Sequence, residues 1–303
     1  MPRHFSPSRH DGRRIGLLIL SFVVALVVAG TWWVVSTTSP DAAGDAVVGT
    51  AGQSPASTST DLTATAAATT APTQAPASLV PSAIPTNPAT GRVDTLEGLI
   101  PDYVLPPIVD GLAPVLTKVP TEQKVVFLTI DDGAVQRDSD LALLEQSGIK
   151  ASLFLAHKYI ADQPAFYLKY TAAGHLIENH TMTHNLGFIQ LSYEEQKAEI
   201  CSMADFAEQQ YGRRPVFFRP PGGPYTQATR QAVAACGLKA IVDWEAKANA
   251  GGMDYQVGAG LRPGEIVLMH FRPEFPQDLA AFLKAQEAAG LKVVLLEDYL
   301  ATA

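Results

Sequence analysis

Positive charge is scarce in this chain. Its 303 residues include 22 Lys or Arg against 30 Asp or Glu, a formal net charge of -8. Arg3, Arg9, Arg13 and Arg14 all stand near the N-terminus against Asp11 alone, so the rest is more acidic still. Nucleic-acid binding needs a basic footprint, so no nucleic-acid partner is expected. Cysteine is nearly absent: Cys201 and Cys236 allow one disulfide at most. An exported chain could form it, closing a loop of roughly 35 residues worth about 4 kcal/mol on the chain-entropy argument; two buried thiols are the equal alternative. Histidine is also rare, with 7 in all and two of them, His4 and His10, in the N-terminal tail. Histidines that do fall at ligand spacing therefore carry weight.

Charge is missing altogether from Ile15 to Pro40. Ile15–Val35 offers about 21 apolar residues, enough to cross a ~30 Å hydrocarbon core as a helix. Arg13 and Arg14 precede it and Trp32 and Trp33 close it, which orients the N-terminus to the cytoplasm. A cleaved signal peptide ending near Ala42–Gly44 is the competing reading. Either one exports the remainder of the chain, and the uncleaved form gives a single-pass cell-membrane protein with an extracytoplasmic domain.

The expected organisation is a basic cytoplasmic tail over 1–14, a transmembrane signal anchor over 15–36 and a linker over 37–92. That linker is almost entirely Ala, Ser, Thr, Pro, Gly and Val. It cannot bury enough apolar surface to offset the entropy of ordering, so disorder is expected. As a coil of ~55 residues it would average ~40 Å end to end. A lead-in over 93–119 precedes the folded domain over 120–303.

In that domain strand-like runs alternate with helical ones. The strands are expected at Val125–Thr129, Ala151–Leu155, Leu176–Glu178, Val216–Arg219, Ala240–Trp244, Ile266–His270 and Val293–Leu296. Helices are expected at Asp138–Ser147, Gln163–Ala173, Tyr193–Tyr211, Thr226–Ala235 and Pro276–Ala289, with glycines at their ends. Only Glu245–Gly264 lacks a clear helix. Such alternation predicts an α/β fold with a parallel sheet. Polar residues at the strands' C-terminal ends suggest a barrel with its site at that rim.

Four strand ends carry chemistry. Asp131-Asp132-Gly133 sets two carboxylates side by side, which repel unless a cation intervenes; the same tripeptide is also a common surface turn. His180 and His184 would share one face of a helical turn, so both imidazoles could reach one ion; a capped helix start with solvated histidines is the bland alternative. His175 lacks this spacing and reads as structural. Arg219-Pro220-Pro221-Gly222-Gly223 fixes a cation beside a backbone able to approach a ligand, or is an ordinary loop. His270 ends an apolar strand, where a lone histidine is more often a satisfied core residue. Their convergence on one rim is the stronger signal.

These motifs, in this order, resemble the polysaccharide deacetylase family, the carbohydrate esterases that include chitin and peptidoglycan deacetylases, over about residues 120–303. The resemblance implies a distorted (β/α) barrel of seven strands. It implies a divalent metal, commonly zinc, held by Asp132, His180 and His184. It makes Asp131 the general base, kept ionised by Arg219, and His270 the general acid that protonates the departing amine. Gly222 would supply a backbone N–H to the oxyanion. The substrate class implied is an N-acetylated envelope polysaccharide; export favours peptidoglycan.

Three departures stand out. Ile130 replaces the family's Phe, and Gly222 its Tyr, whose wall Tyr225 could restore. No clear acidic partner for His270 follows Asp243-Trp244, although Glu245, Asn249 and Asp254 are near in sequence. A catalytically impaired glycan-binding module is therefore the alternative to an enzyme, with a purely structural protein as the third reading. Oligomeric state is not legible.

Overall fold

The computed structural model describes residues 94–302. Expectations for the tail, the anchor and the linker lie outside them. Among the described residues, no helix is long and apolar enough to cross a membrane.

Chain order begins with strands β1 (Val115–Leu116) and β2 (Val125–Asp132), helix α1 (Asp138–Gln146), strand β3 (Ser152–Leu155), and helices α2 (His157–Ile160) and α3 (Leu168–Ala172). It continues with β4 (Leu176–Asn179), α4 (Tyr193–Tyr211), β5 (Phe217–Phe218), α5 (Gln227–Ala235), β6 (Ala240–Val242), β7 (Ala246–Asn249) and β8 (Gly252–Tyr255). It ends with β9 (Ile266–His270), α6 (Phe275–Ala289), β10 (Lys292–Val293) and α7 (Leu296–Tyr299).

The sheet runs β1-β6-β5-β4-β3-β2-β9-β7-β8, with β10 paired to the start of β2. Every ladder is parallel except the β7–β8 hairpin. β2 lies at the centre and is buried along its whole length, as a strand covered on both faces must be. Helix ends follow local chemistry. Ser192 and Glu195 form a reciprocal capping box on α4, Thr226 and Thr229 do so on α5, and α4 and α6 stop at Gly212 and Gly290 in the left-handed region.

The expected distorted barrel of seven strands takes the form of a half-barrel. All seven expected strands exist, but among the described residues no ladder joins β1 to β8, so the curled sheet stays open. The reason lies in Glu245–Gly264. This stretch folds as the β7–β8 hairpin, and β7 pairs with the free edge of β9 where a barrel would go on to close. The expected helix over Gln163–Ala173 is likewise broken, into a 3-10 turn at Pro164–Tyr167 and the short α3. The last expected strand shrinks to β10, because α7 begins at Leu296.

Inside the curl, Phe127, Phe154, Phe217, Val242, Ile266 and Tyr299 form one buried cluster, and Leu96, Leu99, Tyr103 and Leu105 of the lead-in pack against it. The lead-in also supplies β1, paired to β6. Cys201 on α4 and Cys236 at the end of α5 are disulfide-bonded, resolving the open pairing.

Candidate active site

The C-terminal ends of β2, β4, β5 and β9 meet around a cavity of about 250 Å³, whose lining includes Asp131, Asp132, His180, His184, Gly222 and His270. Asp131 and His270 are ladder partners on adjacent strands. Arg219 follows β5 directly and His180 follows β4, where its N–H bonds Leu155 O at 3.1 Å. Six of the seven expected site residues thus line one cavity, and the seventh, Arg219, is buried beneath it.

The histidine pair requires a correction. His180 and His184 do not lie on a helix; they belong to an irregular loop in which Thr181 and His184 adopt φ values of 76° and 50°. Side chains replace helical hydrogen bonds there: Asn179 Oδ1 takes the Thr181 N–H at 3.0 Å and Thr181 Oγ1 takes the His184 N–H at 3.0 Å. Such local bonds compete with helix formation. Asp132 is also left-handed, at φ 77°. Strain at three site residues is the kind that surrounding structure must hold in place. Gly133 makes the next turn possible: at φ +84°, a Cβ there would lie 2.7 Å from Ile160 Cγ2.

Arg219 is fully buried. Its guanidinium donates to Asp131 Oδ1 at 2.6 Å, Thr129 Oγ1 at 2.8 Å, Val242 O at 2.9 Å and Asp243 O at 3.3 Å. Phe154 and Trp244 rings flank it, at 4.3 and 5.6 Å from their centroids. Burial nevertheless outweighs Arg219 and His270, and the Asp131 carboxyl titrates above its ordinary value. A buried carboxylate raised in this way is a better proton acceptor.

His180 Nδ1 donates to Arg219 O at 2.7 Å, so its Nε2 lone pair faces the carboxylates, 3.6 Å from Asp131 Oδ2 and 3.7 Å from Asp132 Oδ1. Burial pushes this imidazole down to about 3, so it rests neutral. His184 Nε2 stands 3.1 Å from Asp132 Oδ1, with Tyr159 Oη 3.3 Å from its other nitrogen. Asp132 is held below its ordinary value: burial would raise it, but the His184 contact and the nearby His180 and His270 prevail.

One ligand atom each from Asp132, His180 and His184 falls within 4.8 Å of the others. Asp132 Oδ1 is buried without a hydrogen bond. A buried carboxylate oxygen that faces two imidazole nitrogens and has no hydrogen bond to satisfy it suits a divalent cation. Such an Asp-His-His set leaves coordination positions open, as catalytic sites require.

Burial lowers the His270 imidazole to about 4, against the pull of Asp131. The acids weighed as its partner are engaged elsewhere: Glu245 with Arg262, and Asp254 with Lys247 at 3.2 Å. Asn249 lines the cavity. Asp243 Oδ1 takes the Trp244 N–H at 3.1 Å. Among the described residues, the nearest charge favouring protonated His270 is Asp131 itself.

Gly222 sits at φ +73°, where a side chain is strained, and Leu186 Cδ2 would lie 3.6 Å from a Cβ placed there. The wall expected of Tyr225 is therefore built by Leu186 and Trp244, both lining the cavity; Tyr225 does not. Sequence reasoning missed these two as walls, and also Lys247, Leu268, Arg272 and Tyr159; Asn249 it named only as a neighbour of the unassigned His270 partner. The β7–β8 hairpin contributes Lys247 and Asn249 to the cavity, and Lys247 carries no signal in sequence. His175 is buried away from the site, its Nδ1 accepting the Ala151 N–H at 3.1 Å.

Comparison with known proteins agrees with this geometry. Residues 118–241 match the family described as polysaccharide deacetylase. A Streptomyces coelicolor protein described as uncharacterized is 35% identical over 197 residues, covering 62% of this chain and 78% of that one. A peptidoglycan-N-acetylglucosamine deacetylase of Bacillus cereus is 28% identical over 199 residues, covering 60% and 91%. Among solved structures, a mutant of a family 4 carbohydrate esterase pseudoenzyme of Bacillus anthracis, with restored enzymatic activity, superposes with a TM-score of 0.56 at 22% identity, covering 63% and 72%. That similarity is one of fold.

Proposed function

Because the chain belongs to the polysaccharide deacetylase family, we propose that it is a metal-dependent hydrolase that removes N-acetyl groups from an envelope polysaccharide, peptidoglycan foremost. The observation that carries this reading is the convergence of Asp132, His180 and His184 at ligating distance beside Asp131 and His270. Relatives named as peptidoglycan deacetylases support the substrate class.

Zinc is the metal that the two imidazoles and one carboxylate favour. When bound, it supplies Lewis-acid polarisation of the acetamide carbonyl and lowers the pKa of water. Asp131 takes the proton of the attacking water, and Arg219 orients that carboxylate. The Gly222 N–H donates to the oxygen on which negative charge develops. His270 rests neutral, so it must gain a proton before it can give one to the departing amine. Asp131, its ladder neighbour, holds the water's proton at that moment and is the adjacent source.

The apolar segment Ile15–Val35 and the long linker support a single-pass anchor with this domain outside the cell membrane. Membrane extraction and protease accessibility on intact cells test that part; a soluble cytoplasmic chain would overturn it.

The central test is acetate release from N-acetylated glycans by zinc-loaded protein, with loss on chelation and recovery on zinc addition. Asp131→Asn should lower turnover by at least about a hundredfold while zinc stays bound. No acetate from a folded, zinc-loaded chain on any such polymer would favour the second reading, a glycan-binding module with impaired catalysis, which the lack of a dedicated acidic partner for His270 supports. Saturable glycan binding without turnover is its signature.

A further inference from the structure

The charged residues lining the cavity divide into two sets. Asp131, Asp132 and the histidines belong to the chemistry already described. The remaining two are both cations, Lys247 on β7 and Arg272 on the loop after β9, in a protein whose formal net charge is -8. Once Arg219 offsets Asp131 and a divalent cation more than offsets Asp132, the mouth of the cavity is positive.

Arg272 is the better placed of the two. Its side chain is 45% exposed, and its one ion pair is a long contact of 3.8 Å to Asp132 Oδ2. Among the described residues its guanidinium donates no hydrogen bond. Five planar N–H donors thus stand unspent at the rim, in the fork geometry that matches a carboxylate with two parallel bonds. Lys247 is partly engaged, since its ammonium lies 3.2 Å from exposed Asp254; it adds field rather than a fixed bond. The surrounding walls are apolar, made by Leu186, Trp244 and Leu268.

The volume limits where a matching anion can be. About 250 Å³ is below the usual range for ligand cavities, roughly 300–1,000 Å³, so it holds one sugar unit with its acetamide rather than several. An anion that meets Arg272 while the acetamide meets the ligand set must therefore sit on the same ring or at its immediate linkage.

Resting on the deacetylase reading above, we infer that Arg272, aided by Lys247, reads a carboxylate on the sugar being deacetylated, so that the preferred substrate is an acidic N-acetylated amino sugar such as the lactyl-bearing unit of peptidoglycan strands. A neutral N-acetylglucosamine polymer would be a poorer substrate. A charge-assisted bidentate pair at a partly desolvated rim gives a preference of about tenfold to a hundredfold.

The test uses zinc-loaded wild type, Arg272→Gln and Arg272→Lys on three probes. These are peptide-free peptidoglycan strands with free carboxylates, the same strands with those carboxylates amidated, and chitotetraose. Wild type should favour the free-carboxylate strands at least about tenfold in kcat/KM, chiefly through KM, and mass analysis should place the deacetylation on the acidic sugar. Arg272→Gln should collapse that ratio to near one, with zinc affinity retained, while Arg272→Lys keeps part of it. A wild-type ratio near one, a ratio that survives Arg272→Gln, or deacetylation of the neutral sugar alone would overturn the inference. Should no probe release acetate, the deacetylase reading fails by itself. Calorimetric binding of the free and amidated strands to the same proteins then still decides whether Arg272 reads the carboxylate.

Discussion

Glu199 on α4 accepts two hydrogen bonds from Thr183, one from the backbone N–H at 2.8 Å and one from the hydroxyl at 2.9 Å. Thr183 lies in the loop between His180 and His184. The next residue on the helix, Ile200, gives its carbonyl to Asn179 Nδ2 at 2.8 Å, and the one after, Cys201, carries the disulfide. Two consecutive residues of one helix therefore hold a loop whose backbone is strained at Thr181 and His184, and the third ties that helix to the end of α5. That loop has no regular secondary structure to fix it, so side-chain partners must do so.

Removing that support should loosen the ligand set without touching it. Glu199→Ala is expected to weaken zinc binding by about tenfold to a hundredfold, the usual effect of losing an outer partner of a metal site. Circular dichroism should be unchanged, because Thr183 and Glu199 are exposed at this contact. Competition titration against a chelating dye measures the affinity. A wild-type value would show that the loop keeps its shape unaided.

The disulfide should matter to the same loop. Its 35-residue separation gives about 4 kcal/mol of stabilisation on the chain-entropy argument. The double substitution Cys201→Ser, Cys236→Ser should lower the urea midpoint accordingly. Because Glu199 and Ile200 adjoin Cys201, zinc affinity should fall as well, though less than in Glu199→Ala. Full stability in the double variant would mean that packing of α4 on α5 suffices.

Much of this arrangement is legible in the amino-acid order alone. β2, β4, β5 and β9 announce themselves as apolar runs that end in Asp131-Asp132, His180, Arg219 and His270, and periodicity alone puts such ends on one rim. The helical placement of His180 and His184 fails because spacing cannot reveal that Thr181 and Asn179 offer side-chain bonds in place of a helix. The opening of the barrel on one side escapes the sequence because Ala246–Tyr255 is too short and too mixed in polarity to distinguish a hairpin from a loop. Lys247 and Arg272 escape notice for a related reason: an isolated cation has no pattern, and only a cavity gives it meaning.

Away from the site, Glu297 and Glu178 meet in the interior. Glu178 is satisfied by Arg213, with both terminal nitrogens at 2.8 Å, and by the N–H groups of Val216 and Phe217. Glu297 receives only Ser152 Oγ, at 2.8 Å, and its other oxygen is buried without a partner. Burial, then the Glu178 charge, raise it from the ordinary 4.5 to about 8. The folded state therefore keeps a proton that the unfolded chain loses near pH 4.5. This contribution is complete below pH 4.5 and is lost as pH rises to about 8. Glu297→Gln should remove that slope, so the variant gains on wild type steadily across the window. Urea unfolding at several pH values reads the difference; parallel profiles would mean that Glu297 is ionised throughout.

Arg219 combines both themes, since it serves the site and fills the interior. Its fork spans Asp131, Thr129 and two carbonyls, while its plane lies between Phe154 and Trp244. Lysine retains one charge beside Asp131 but cannot reach three further acceptors or stack in the same way. Arg219→Lys should therefore cost about 2–3 kcal/mol of stability through acceptors left buried and unpaired. It should also lower kcat more than it raises KM, because Asp131 loses its orientation while the cavity walls remain. Zinc should still bind, since Asp132, His180 and His184 are untouched, although His180 Nδ1 depends on the Arg219 carbonyl, which any residue supplies. Steady-state kinetics of the folded, zinc-loaded variant separate the two parameters. If Arg219→Lys turns over at the wild-type rate, positive charge alone is what Asp131 requires, and the fork is there for the fold.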